Sequence, residues 1–484
     1  MIKRFEEMVI GNVMFPVTSA LYNRKRILPL YRQFKASELY PPERLEEMQL
    51  EKLRKLVCYA YQQIPFYKKR FDEAGLVPED IRVLSDLVNL PAVTRQDVID
   101  HHHDMVDNRF RSSALRADAA GRAAGAPILL APLRKDRLVR NTSSGSTGAP
   151  TTFYEDGART AMNWAHELRL RNWYGIPPGA REARMARVSV EYLRNSKDVL
   201  MRRLLWNQLA LPGVNLGEED FSICYESLEK FRPRVLWGFT SALTGLAAYI
   251  REAGLDAEVV RPELIITWAA PMYEHEERIL KEVFECHVTN IYGAREVGHI
   301  AARCPDETLH INEENLLLEV EPGEDLKENG GGEILVTTLD TTIMPFIRYR
   351  MGDIGKVSPS RCSCGRSLAV LEDLLGRTGE IFVTQSGRMI SPNFWCRTFM
   401  NPDLGGKIER FQVVYRPEDT ILIRIVRGSD FSQDTEDGLR KHLENNFKQS
   451  VTARFEYRDE IKPQISGKYQ MVVNETDLEN SRIV

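Results

Sequence analysis

The stretch NTSSGSTGAPTTFY, Asn141 to Tyr154, decides how the rest of this chain is read. Five of the six residues at 143–148 are Ser or Gly, and the sixth is Thr147. Glycines let backbone amides approach an anion closely, and hydroxyls add further donors. That is the composition of a loop that cradles phosphate. It lacks the lysine of G-x-x-x-x-G-K-[ST], so it is not that P-loop. The chain also has no G-x-G-x-x-G opening a dinucleotide fold. Taken alone, the same composition also describes a flexible Ser/Gly linker.

Downstream of the loop, helical stretches alternate with short apolar or β-branched runs. The runs are RVLWGFT (234–240), LIITWAA (264–270), VTNIYG (288–293) and GEILVTTL (332–339), with helical text at 241–254 and 273–285. Such alternation predicts α/β layers with parallel strands. Upstream, Leu45, Met48, Leu53, Leu56, Val57, Ala60 and Tyr61 give residues 41–74 a helical period, behind Pro41 and Pro42. Residues 109–131, rich in Ala, Arg and Gly, read as a mobile surface excursion or an ordinary helix plus loop. His101, His102 and His103 read as a solvated run. After residue 376 short strands (380–384, 421–426, 453–458) surround a helix at 435–448, the texture of a small α+β domain.

Composition sets the outer bounds. The 484 residues include 65 Lys+Arg and 69 Asp+Glu, a net charge of −4, with 43% hydrophobic residues. These proportions predict a globular protein of several compact units and exclude disorder as its main state. The near-neutral balance gives no reason to expect a nucleic-acid partner. Seven cysteines are few and odd in number, which predicts a reducing compartment, the cytoplasm, rather than a disulfide scaffold. The apolar stretch MVIGNVMFPVTSALY (8–22) is too short and too broken to span a bilayer. It reads as a helix packed on the body. Flanking Lys3, Arg4, Arg24, Lys25 and Arg26 leave a peripheral membrane contact as the lesser alternative.

SSGSTGAP resembles the signature loop of the adenylate-forming (AMP-binding) superfamily. The resemblance implies that Ser143, Ser144, Gly145, Ser146, Thr147 and Gly148 hold the β- and γ-phosphates of ATP, with Thr147 near the metal. Further segments follow in the family's order. IYGAREVG (291–298) resembles Tyr-Gly-x-x-Glu, so Tyr292 and Gly293 would pack on the nucleotide and Glu296 would bind Mg²⁺. Arg295 stands where the family has Ser or Thr, and a guanidinium can serve a phosphate or carboxylate bidentately. IRYRMGDIG (347–355) implies that Asp353 accepts from the ribose hydroxyls, with Met351 replacing the family's Thr. GRTGE (376–380) resembles the hinge, with Arg377 contacting ribose or phosphate and Gly379 replacing the usual aspartate. QISGKYQMVV (464–473) resembles the catalytic-lysine loop, which makes Lys468 the group that neutralises charge at the α-phosphate. LIITWAAPMY (264–273) places Ala269, Ala270 and Pro271 at the adenine, and WGFTSAL (237–243) at the acyl pocket.

The text from about residue 40 onward, including KLVCYAYQQIPFYKKRFDEAGL, resembles the phenylacetate–CoA ligase-like branch and its capsular polysaccharide relatives. The fold implied is α/β: a large N-terminal adenylate-forming body of mixed sheets and helices (1–376) and a small mobile α+β lid (377–484) carrying Lys468. The function implied is carboxylate activation to an acyl-adenylate with release of pyrophosphate, then transfer to an acceptor. CoA is the acceptor expected; an amine or hydroxyl is the alternative. A non-catalytic nucleotide-binding protein on the same fold, or a metal-dependent hydrolase, is a further rival. Within 304–364, Cys304 and His310 (C-x5-H) and Cys362 and Cys364 (C-x-C) can form a tetrahedral Cys₃His zinc site, structural because four protein ligands leave no open position. The other reading is four unrelated residues. Neither the acid nor the oligomeric state is legible.

Overall fold

A computed structural model describes residues 7–14, 17, 26–119, 138–142, 151–155, 157–186, 197–214, 216–270, 272–322, 331–377, 382–383, 389–390, 392–399, 407–416, 420–447, 452–461 and 471–475. The loop positions Ser143 to Gly148, together with Pro271, Gly379, Glu380 and Lys468, lie outside the described residues.

Helix α1 (Ile27–Ser37) leads into α2 (Pro42–Gln63). Pro42 opens α2 where its missing N–H costs nothing, and Leu45, Leu53, Leu56, Val57 and Ala60 turn one face inward. The helical period over 41–74 divides in two. Pro65 cannot donate and pushes Ile64 to an extended conformation (φ −121°, ψ 107°), so a second helix, Pro65–Glu73, starts afresh. The 109–131 excursion is helical over Arg111–Ala119, and 120–137 lie outside the described residues. The three histidines depart from a solvated run. His101 ends a helix, while His102 and His103 are half-buried, with rings 4.0 Å apart, and both lie against Tyr154.

Strands β1 (Val139–Thr142) and β2 (Thr152–Glu155) form an antiparallel pair around the Ser/Gly loop. Helix α3 (Gly157–Trp173) follows. The large sheet has eleven strands: β3 (Glu182–Ala186), β4 (Gln208–Pro212), β5 (Val235–Phe239), β6 (Leu264–Trp268), β7 (His287–Ala294), β8 (Gly298–Arg303), β9 (Leu309–Ile311), β10 (Leu316–Pro322), β11 (Gly332–Thr338), β12 (Tyr349–Ser358) and β13 (Val370–Arg377). Their order is β10-β11-β12-β13-β9-β8-β7-β6-β5-β3-β4. From β7 to β4 the strands are parallel; from β7 to β10 they are antiparallel. Strand β7 is therefore the switch.

The parallel half is covered on both faces, which is why its strands read as unbroken apolar runs. Leu236 and Ile265 face α5 (Glu218–Phe231), α6 (Thr240–Glu252) and α7 (Glu274–Phe284) through Leu228, Leu246 and Leu280. Their neighbours Val235, Trp237, Leu264 and Ile266 face the other way, toward Leu170 and Trp173 of α3. Helix α4 (Lys197–Trp206) lies against the edge strand β4.

The C-terminal part has its own sheet and core. After β14 (Phe382–Val383), β15 (Met389–Ile390) and α8 (Pro392–Phe399) come β16 (Ile408–Arg416), β17 (Thr420–Arg427), α9 (Gln433–Phe447), β18 (Thr452–Tyr457) and β19 (Val472–Asn474). The four-stranded order is β18-β17-β16-β19, packed through Trp395, Phe411, Ile423 and Leu439.

Candidate active site

Ligands on open α/β sheets bind beyond the carboxyl ends of the strands, where the strand order switches. Here that place is the end of β7 and the turn into β8, residues 291–298. The turn is tight because Gly293 has no side chain: a Cβ there would meet the Gly298 carbonyl oxygen at 2.3 Å. Its tip presents Arg295 and Glu296. Arg295 Nη1 donates to the Thr142 carbonyl at 2.9 Å, and the Thr151 hydroxyl donates to Glu296 Oε1 at 3.1 Å. Thr142 and Thr151 flank the Ser/Gly loop. Two consecutive residues of one turn therefore hold both ends of the other. The backbone is pinned as well, since Arg159 Nη2 donates to the Arg295 carbonyl at 2.5 Å.

Asp353 joins this site from β12. The Tyr292 hydroxyl donates to Asp353 Oδ2 at 2.7 Å. In the sheet order β12 is four strands from β7, about 19 Å away if the sheet were flat. The sheet curls to bring them together. On its other side Asp353 is the cross-strand partner of Arg377. Tyr292, Asp353 and the Arg377 backbone thus meet at one end of the curl. Tyr292 is itself buried, at 8% exposure, with its hydroxyl turned to the carboxylate.

The end of β6 forms the third wall. Ala269 has φ +68°, a left-handed conformation that costs a non-glycine residue about 1 kcal/mol or more. Asn290 braces the turn, its Nδ2 donating to Thr267 Oγ1 at 2.8 Å and to the Ala270 carbonyl at 3.4 Å. Before the turn Trp268 is 39% exposed although Leu264 to Thr267 are buried, and its ring stacks on Phe239 at 5.2 Å and 9°. Sequence alone does not single out Thr142, Thr151 or Asn290, while Phe239 and Trp268 fall inside the stretches 237–243 and 264–273 that it places at the acyl pocket and the adenine. A tryptophan in the last position of a buried strand was the available signal for Trp268.

Away from this site, Cys304, His310, Cys362 and Cys364 place their ligand atoms within 4.8 Å of one another. Cys304 Sγ and Cys362 Sγ are 3.8 Å apart, and Cys364 Sγ is 3.2 Å from His310 Nε2. His310 Nδ1 donates to the Leu368 carbonyl at 3.2 Å, which turns the Nε2 lone pair toward the sulfurs. Burial pushes the His310 imidazole down to about 4, so it stays neutral, and pushes the Cys304 thiol up to about 12. At Cys362 burial acts upward, but hydrogen bonds led by that to Thr308 outweigh it, and the thiol falls below its ordinary value. Three sulfurs and one oriented imidazole nitrogen at these separations fit a tetrahedral ion with Zn–S near 2.3 Å. The four residues could hold such an ion between the β8–β9 and β12–β13 connections.

No helix among the described residues is long and apolar enough to cross a membrane. Residues 382–475 match the CapK C-terminal domain family. Phenylacetate–coenzyme A ligase of Thermus thermophilus is 26% identical over 401 residues, 79% of this chain and 81% of that protein. Protein CapK of Staphylococcus aureus is 20% identical over 471 residues, 96% of this chain and 97% of its own. The crystal structure of 2-hydroxyisobutyryl-CoA ligase in the postadenylation state superposes with a TM-score of 0.68 at 18% identity, over 92% of each chain. Over most of its length the chain is thus similar in sequence to phenylacetate–CoA ligases and to CapK, and it shares the fold of an adenylate-forming CoA ligase.

Proposed function

We propose that the chain is an ATP-dependent, AMP-forming ligase. It activates a carboxylic acid to an acyl-adenylate, releases pyrophosphate, and passes the acyl group to a thiol, with CoA as the acceptor. The observation that carries this reading is the pairing of Arg295 with Thr142 and of Glu296 with Thr151. It sets a carboxylate beside Thr142 and Thr151, which bracket the Ser/Gly stretch in the chain, and a carboxylate next to a donor-rich loop is what a magnesium-bound triphosphate needs. Glu296 would hold Mg²⁺, which would offset charge on the phosphates. The Ser/Gly loop binds the β- and γ-phosphates, Asp353 accepts from the ribose diol, and the turn at Ala269–Pro271 lies along the adenine. Lys468 faces the α-phosphate during carboxylate attack. The test is a carboxylic-acid panel assayed for pyrophosphate release with and without CoA. Release with at least one acid supports the reading, and silence across the panel with ATP bound would assign a non-catalytic nucleotide-binding role.

One observation favours a second acceptor class. The family match over 382–475 is to the CapK C-terminal domain, a family not named for a CoA ligase. Pyrophosphate release undiminished without CoA, followed by transfer to an amine or hydroxyl, would establish this alternative.

The Trp268–Phe239 pair supplies an apolar wall where the acid would sit. Trp268→Ala is expected to alter the ratio of kcat/KM between the best bulky and the best small acid by about ten- to a hundredfold. An unchanged ratio would remove Trp268 from the acyl pocket.

Zinc at the Cys₃His cluster would be structural, clamping two connections of the curled sheet. Purified protein should contain about one zinc per chain by mass spectrometry, and Cys362→Ser less than about half of that. Equal content in both would mean that the cluster binds no metal.

A further inference from the structure

The segment before α1 presents its residues in reverse. In Glu7 to Met14 the charged residue is inside, Met8 and Val13 are outside, and Val9, Ile10 and Met14 are half-buried. Glu7 is buried and pairs with Arg234 at 3.2 Å and with Arg181 at 3.6 Å. Met8 and Val13 are 51% and 53% exposed. The segment is held close to the body by two glycines, since a Cβ on Gly11 would meet the Pro178 carbonyl oxygen at 2.2 Å and one on Gly179 the Gly11 backbone at 2.4 Å. Its orientation is therefore set by packing. Helix α4 lies alongside and exposes Leu200 and Leu204, one turn apart, at 59% and 57%. With Val17, these make five of the twelve large hydrophobic residues that the described chain exposes.

The sequence that carries this segment is basic on balance. Residues 1–35 hold Lys3, Arg4, Arg24, Lys25, Arg26, Arg32 and Lys35 against Glu6 and Glu7, seven minus two or +5, in a chain whose total is −4. Glu7 is spent inside. Arg26, Arg32 and Lys35 on or next to α1 are exposed, as is Arg203 on α4. Ile27, Tyr31 and Phe34 of α1 and Leu205 and Trp206 of α4 belong to one hydrophobic cluster, which includes Ala161 to Leu168 of α3. The surface also lies beside the amino ends of the parallel strands, near Arg181 and Arg234, whereas the nucleotide site lies at their carboxyl ends.

We infer that this face, built from Met8, Val13, Leu200 and Leu204 in a basic part of the chain, docks on an anionic lipid surface. Exposed apolar side chains ringed by Lys and Arg enter the headgroup boundary of a bilayer, and anionic lipids add the electrostatic attraction. A second copy of the chain is a poorer occupant, because a two-fold contact would set two basic N-terminal segments against each other.

The test uses the full chain with sedimenting vesicles, one set of phosphatidylcholine and one with phosphatidylserine added. The chain is expected to sediment with the anionic vesicles, less so as salt is raised, and little with the neutral ones. Leu200→Glu/Leu204→Glu is expected to weaken that binding by about tenfold or more while pyrophosphate release stays at the parent rate. Val13→Glu, on the other element, guards against a folding defect in α4 and should weaken binding in the same direction. Failure of the parent to sediment, equal binding to both vesicle types, or full binding by all variants would overturn the inference. A dimer in solution that the α4 substitutions dissociate would assign the face to a second copy and overturn it as well.

Discussion

Lys468→Ala is expected to lower acyl-adenylate formation about a hundred- to a thousandfold while leaving ATP affinity within about threefold, because the lysine acts on charge that exists only in the transition state. As the carboxylate attacks, negative charge accumulates on the α-phosphate oxygens, and a cation already in place stabilises it without reorganisation. Lys468 falls in the sequence between two described points of the C-terminal part. The chain leaves the body of the C-terminal domain at Ile461 and rejoins it at β19, which pairs with β16 through Val413 to Tyr415. Pyrophosphate exchange measures the first step, and nucleotide titration the binding. Lys468→Arg keeps the charge with a different reach and should fall between the parent and the alanine variant. Exchange at the parent rate in Lys468→Ala would remove the lysine from that step.

Arg169→Met is expected to destabilise the protein by about 3–5 kcal/mol, read as a lowered urea midpoint. Arg169, 1% exposed, pairs with the fully buried Glu314. It also donates to Asn312 at 2.5 Å and to the Phe34 carbonyl at 3.4 Å, while Glu314 Oε1 accepts from Ser37 at 2.8 Å. One guanidinium therefore ties α1, α3 and the segment before β10. Its removal leaves a fully buried carboxylate with the Ser37 hydroxyl as its remaining side-chain partner among the described residues. Adding Glu314→Leu to Arg169→Met should restore much of the loss, because the stranded charge is then gone. A midpoint shift below about 1 kcal/mol for the single variant would show that water or rearrangement reaches Glu314.

Much of the architecture was legible because it is written in local terms. Period-two and continuous apolar runs marked β5, β6, β7 and β11, and the C-terminal strands and α9 fell within a few residues of their expected places. The break of the 41–74 helix was also local, carried by Pro65, but an uninterrupted apolar period across it masked the signal. The antiparallel half of the large sheet was less readable. A run such as GEILVTTL says strand but not which neighbour it takes, and the residues that choose β12 as its partner lie more than ten positions away.

For the candidate site, the chain by itself determined the chemistry on offer: a donor-rich loop at 143–148, a carboxylate at Glu296, another at Asp353, a basic residue at Lys468, and four soft or borderline metal ligands. These are properties of side chains and survive in any conformation. Only the tertiary structure decided which of them meet. The curl of the sheet brings Asp353 onto Tyr292 across four strands, and packing sets Thr142 and Thr151 against Arg295 and Glu296. The same folding draws Cys304 and Cys362 together across 58 positions and turns Glu7 inward with Met8 and Val13 outward. The physical reason is that such encounters are set by the summed burial of surfaces remote in the chain, to which no local stretch of sequence gives access.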